Sequence, residues 1–230
     1  MTDAADKIIV ALDVPSKKEA LALVDQLRGQ ISFFKVGLQL YTASGPEVVR
    51  EIVRQNANVF LDLKLHDIPN TVASAVAAAR ELGARMLTVH LSGGRVMLEA
   101  ATAAKTPDLL LLGVSVLTSS DETTLREIGV GSSVEQQVER LSALGINAGV
   151  DGIVASPHEI KLLRARFGDK VLIVTPGIRP TWAESGDQKR ITTPREALQH
   201  GANYLVIGRP ITAHKNPREA VQMILQEISE

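Results

Sequence analysis

The sequence predicts an α/β chain closed into a (β/α)8 barrel, and three observations carry that reading. Eight short aliphatic runs alternate with longer amphipathic segments along the 230 residues. Those runs are nearly continuous in their apolarity, which suits strands covered on both faces, as in a parallel sheet. No linker or low-complexity stretch interrupts the alternation, so residues 1–230 read as one barrel domain. An open doubly wound sheet would alternate in the same way, but usually with fewer strands in this length.

The runs justify themselves in order. KIIVALD (7–13) precedes the helical pattern KKEALALVDQLRGQ, and FFKVG (33–37) precedes a helix whose first turn is marked by Pro46 after Gly45. NVFLDLK (58–64) leads into TVASAVAAARELG, where Gly83 suits a left-handed cap. MLTVHL (86–91) and LLLLGVSVL (109–117) are the fourth and fifth strands. A long connection at 118–133, with room for a short helix, then reaches VEQQVERLSALG, and Gly145 is expected to cap it. GIVAS (152–156) is followed by Pro157 at a helix start. VLIVTPG (171–177) is followed by a polar connection at 178–193, expected to be a mobile binding loop. YLVIGRP (204–210) and the helical NPREAVQMILQEISE complete the repeats.

Composition removes several functions. A net charge of -1 offers no general attraction to nucleic acid or an acidic membrane, and 3% aromatics are too few for base-stacking platforms. Without cysteine there is no disulfide, thiolate metal site or cysteine nucleophile. The start, MTDAADK, lacks a signal peptide's basic and apolar regions, and LLLLGVSVL is too short to span a bilayer. A soluble, cytoplasmic protein is expected. The five histidines form neither HxH nor HExxH, so no metal site is expected, and no GxSxG marks a serine nucleophile.

Polar residues gather where the strands end. Asp13, Lys35, Asp62 with Lys64, His90, Thr118, Ser156 and Arg209 lie at or just past those ends, which in a barrel surround the mouth that holds the active site. Ser156 alone fits a helix cap equally well. In DLKLHDIPNT (62–71), Asp62 and Lys64 are two apart on a strand and share a face. Asp67 follows in the loop, and Lys35 ends the neighbouring strand. Such a group can keep a buried lysine cationic for proton donation or carbanion stabilisation, although an ordinary ion-pair network would share the pattern. His66 alternates away from that face and reads as structural. Gly208 and Arg209 in IGRPIT, with Arg179 in TPGIRP, stand where barrels hold phosphate. SGG at 92–94 is a rival anion site or a simple turn.

Together DLKLHDIPNT, ALD at 11–13, FKVG at 34–37, TPGIRP and IGRPIT closely resemble the orotidine 5'-phosphate decarboxylase family, nearly end to end. The resemblance implies cofactor-free and metal-free conversion of orotidine 5'-monophosphate to uridine 5'-monophosphate in pyrimidine synthesis. It implies that Lys64 protonates the C6 carbanion within a network of Lys35, Asp62 and Asp67. Asp67 would come from the second subunit of a homodimer, as would Thr71. Asp13 and Lys35 would hold ribose hydroxyls and Thr118 the pyrimidine region, while Arg179, Gln188, Gly208 and Arg209 would surround phosphate. Related barrel decarboxylases of sugar phosphates, which use magnesium, are the nearest rival; HDIPNT and the loop bearing Gln188 argue against them.

Overall fold

The computed structural model describes residues 4–183 and 192–230. Its eight strands are β1 (Ile8–Ala11), β2 (Phe33–Gly37), β3 (Asn58–Leu65), β4 (Met86–His90), β5 (Leu110–Val114), β6 (Gly152–Val154), β7 (Leu172–Thr175) and β8 (Tyr204–Ile207). Each pairs in parallel with the next, and β1 pairs with β8, so the sheet closes. The open-sheet alternative is thereby excluded; seven strands lie within their aliphatic runs, and β3 ends one residue beyond its own, at Leu65.

Closure follows from the two-faced apolarity of the strands. Alternate side chains, among them Ile9, Phe33, Phe60, Met86, Leu112, Val174 and Val206, fill the barrel interior. Their neighbours, such as Ile8, Val10, Phe34, Val36, Val59 and Leu87, pack outward against the helices in a second buried cluster. The helices answer with apolar stripes. Lys17–Leu27 buries Ala20, Val24 and Leu27, at intervals of three and four, behind a Ser16 cap on the Glu19 N–H. Val134–Asn147 begins with a reciprocal Ser133–Gln136 capping box.

Most element ends match their sequence signals. Gly83 takes φ 82° after the helix Pro69–Glu81, as a left-handed cap should. Pro46 precedes Glu47–Arg54, Pro157 opens a short 3-10 turn, and the 118–133 connection holds the helix Glu122–Glu127. Gly145 does not cap its helix. It lies inside, where a Cβ would come 2.4 Å from Leu91 Cδ2, and the left-handed residue is Gly149 at φ 91°. Close packing, rather than chain reversal, accounts for the absence of a side chain at 145. Two helices had no sequence signal: Leu38–Ser44 directly after β2, and the single turn Arg209–Thr212 after β8.

The connection at 178–193 is closed at its feet by an isolated parallel bridge, Ile178 to Thr192, in which the Arg179 N–H donates to the Thr192 carbonyl at 3.0 Å. The expected mobility of that loop falls largely on residues outside those described. Among the described residues, no helix is long and apolar enough to cross a membrane.

Gly152 shows how tightly the sheet is packed. A Cβ there would lie 2.7 Å from the Leu172 backbone oxygen and 2.9 Å from Leu112 Cδ2. Since a backbone oxygen cannot rotate aside, Gly152→Ala should lose about 1–3 kcal/mol of stability in urea unfolding, as overpacked cores do.

Candidate active site

A cavity of about 470 Å³ opens at the carboxyl ends of the strands. Phe60, Val114, Val154 and Val206 contribute apolar walls, while Asp13, Lys35, Asp62 and Lys64 bring charge. Thr118, Gly177, Arg179, Gly208 and Arg209 complete much of the lining. Polar groups converging on an apolar concavity are the usual form of a small-molecule site.

The four charges form a row of alternating sign. Asp13 Oδ1 lies 2.9 Å from Lys35 Nζ, which is 3.9 Å from Asp62 Oδ2, and Lys64 Nζ lies 2.8 Å from both Asp62 oxygens. Lys35 is almost wholly buried, with 11% of its side chain exposed. Gly37 makes room for it, since a Cβ there would stand 2.8 Å from the Lys35 ammonium.

Lys64 reaches Asp62 through an irregular backbone. Between Leu61 and Leu65 the register of β3 against β4 shifts, and Lys64 takes φ 51°, a left-handed conformation uncommon outside glycine. Its N–H donates to Thr88 Oγ1 at 2.8 Å, and the Thr88 hydroxyl donates to Asp62 Oδ1 at 2.9 Å. Simple strand alternation therefore gives the right partners for a reason different from the actual one.

The rim after β7 and β8 is cationic. Arg179 is buried, and its Nη1 donates to the Ile178 carbonyl at 2.9 Å. Burial, with the like charge of Arg209 adding to it, lowers the Arg179 guanidinium from its ordinary value. Two neighbouring guanidinium groups and the backbone of Gly177 and Gly208 suit a multiply charged anion.

Several expected residues stand elsewhere. Asp67 and Thr71 are exposed and do not line the cavity, and the Asp67 carboxylate accepts the Ile68 N–H at 2.6 Å. His90 ends β4 and Ser156 lies two residues past β6, and neither lines the cavity. Ser156 is fully buried, and its N–H donates to Glu159 at 2.9 Å, in keeping with a helix start. The SGG rival is also outside the lining; a Cβ on Gly93 would strike Met97. Gln188 lies outside the described residues. Thr88 and Gln39 were not anticipated. Thr88 carries a readable signal, being the polar residue two after Met86 on a run whose alternate side chains fill the barrel. Among the described residues, no cluster of three His, Cys, Asp or Glu could hold a metal.

A (β/α)8 barrel with a lysine–carboxylate row facing paired arginines belongs to the class built for phosphorylated small molecules. Residues 6–224 match the Orotidine 5'-phosphate decarboxylase / HUMPS family, and the chain belongs to it. It is 50% identical to the orotidine 5'-phosphate decarboxylase of Syntrophotalea carbinolica, over 100% of this chain and 97% of that one. Against the enzyme of the same name from Moorella thermoacetica it is 50% identical, over 98% and 93%. The crystal structure of orotidine 5'-phosphate decarboxylase from Lactobacillus acidophilus superposes with a TM-score of 0.86 at 35% identity, covering 98% of this chain and 100% of that one.

One titration follows from the site's edge. The His90 and His66 rings lie 5.5 Å apart. Burial, then the charges of His66 and Lys64, lower the His90 imidazole from its ordinary 6.5, with Asp62 opposing. Below pH 6.5 the unfolded chain takes up a proton that folded His90 still refuses, so stability rises with pH in that window. The contribution is complete above 6.5 and is lost as pH falls to the folded-state midpoint. A proton NMR titration should place His90 below 6.5, and His90→Gln should lessen the loss of stability on acidification through that window.

Proposed function

We propose that the charged row carries out the cofactor-free decarboxylation of orotidine 5'-monophosphate to uridine 5'-monophosphate, with Lys64 as proton donor. The observation that carries the mechanism is the Lys64 ammonium, held 2.8 Å from both oxygens of Asp62 beside an apolar wall. The full-length relatives named for this activity support the reaction itself.

The chemistry can be followed by its electrons. The bond between C6 and the carboxylate breaks, carbon dioxide leaves, and the bonding pair remains on C6. Lys64 Nζ gives that carbon a proton, and the resulting amine regains one from solvent. A cation fixed before the reaction stabilises the developing carbanion without reorganising, and such preorganised charge is usually the largest single contribution to catalysis. Apolar Phe60, Val114, Val154 and Val206 limit water beside it.

The remaining groups divide the substrate between them. Asp13 and Lys35 hold ribose hydroxyls, and Thr118 meets the pyrimidine. Arg179, Gly208 and Arg209 take the phosphate, with Gln188 closing over it. Phosphate binding far from C6 supplies energy that positions the reacting end. The exposed Asp67 and Thr71 complete the site of a second subunit in a homodimer with shared active sites. A cytoplasmic location belongs to the same reading.

The direct test follows the loss of orotidine 5'-monophosphate by absorbance. Turnover should persist in a metal chelator, and Lys64→Ala should lower it by roughly 10²- to 10⁴-fold or more, as loss of a general acid does. Near-normal turnover in the variant would overturn the role of Lys64, and loss in chelator would redirect the chemistry to a metal.

Sharing of the site is tested by exchange of subunits. Lys64→Ala and Asp67→Ala homodimers should each be nearly inactive. After mixing and verified exchange, roughly a quarter of all sites should recover, because half the twofold dimers are mixed and each has one intact site. Activity that stays near zero means that Asp67 serves its own chain.

A further inference from the structure

We infer that Thr88 is a positioning residue whose hydroxyl sets the place of the Lys64 ammonium by holding both the Lys64 backbone and the Asp62 carboxylate. The inference rests on the reading of Lys64 as proton donor. Thr88 is 0% exposed and does not line the cavity, so it acts only through the residues it bonds.

The geometry leaves its hydroxyl one arrangement. An amide N–H can only donate, so Thr88 Oγ1 accepts from Lys64 at 2.8 Å. Its single proton is then free for Asp62 Oδ1 at 2.9 Å, an ionised carboxylate being an acceptor only. The same Oδ1 receives the Lys64 ammonium at 2.8 Å, closing a ring from the Lys64 backbone through Thr88 and Asp62 to the Lys64 side chain. One oxygen thus fixes the point from which the lysine springs and the surface on which its ammonium rests.

The ring stands where the backbone most needs support. From Leu61 to Leu65, β3 advances four residues while β4 advances two, from Leu87 to Val89, and Thr88 sits opposite the surplus. Lys64 occupies φ 51° within that stretch. A sparsely populated conformation persists only where its surroundings over-determine it, and such positions gather at functional sites. Proton transfer to carbon is sensitive to small displacements of the donor, so relaxation of the bulge should be felt in the chemical step rather than in binding.

Two variants separate positioning from packing. Thr88→Val keeps the shape and removes both hydrogen bonds, whereas Thr88→Ser keeps the hydroxyl and removes a methyl. With orotidine 5'-monophosphate, Thr88→Val should lose roughly 10- to 100-fold in kcat, the scale of a hydrogen bond to a charged group. Its KM, and its affinity for uridine 5'-monophosphate by calorimetry, should stay within about threefold of the wild type, and Thr88→Ser should keep kcat within the same range. Unchanged kcat in Thr88→Val, or equal loss in the serine and valine variants, overturns the proposal. If the valine variant fails to fold, Thr88→Ala takes its place against serine. Hydrogen exchange at the Lys64 amide provides a readout independent of turnover. It should quicken when the hydroxyl is removed, and unchanged protection also overturns the proposal. A wild-type protein inert toward orotidine 5'-monophosphate would defeat the functional reading alone, leaving exchange at Lys64 to judge Thr88.

Discussion

The contact between the Lys64 ammonium and both Asp62 oxygens, 2.8 Å each, is the constraint on which the site depends. Drawing charges out of water costs several kcal/mol per ion, and a pair seldom recovers the whole of it. Alternation along Asp13, Lys35, Asp62 and Lys64 lessens the cost by giving each charge an opposite neighbour. Even so, a packed aliphatic cluster would stabilise a barrel mouth at least as well. The row is better understood as a preset field, held in place by the rigid sheet around it.

That rigidity comes from the simplest property of the chain. Interior side chains from successive strands stack into a filled core, so the strand ends cannot drift relative to one another. Bare positions matter as much as filled ones. Gly37 leaves space for an ammonium, Gly145 for Leu91, and Gly152 for a neighbouring strand.

Much of this was legible in the sequence because strand count and strand ends follow from local pattern. Eight aliphatic runs gave eight strands, and Asp13, Lys35, Asp62, Lys64, Thr118, Arg179, Gly208 and Arg209 all line the cavity. What local pattern could not show was close approach in three dimensions. Gly145 reads as a cap until Leu91 is found against it, and Thr88 reads as one more strand threonine until β3 bulges over it. His90 and Ser156 share the strand-end region of the site residues but do not line the cavity. Asp67 and Thr71, exposed and outside the lining, have no part in the cavity of a single chain.

The chain's two kinds of polar residue come from different arcs of the barrel. The alternating charges arise at the ends of β1 to β3, with Thr88 of β4 beneath them, whereas the paired arginines follow β7 and β8. Since β8 closes against β1, the arcs meet in one cavity although most of the sequence separates them. On the division of the substrate proposed above, anchorage and reactivity are therefore modular. Diversifying the tips of β3 and β4 would then sample new reactions on phosphorylated compounds while the phosphate end stays in place, so this barrel offers an engineer a fixed handle and a replaceable tool.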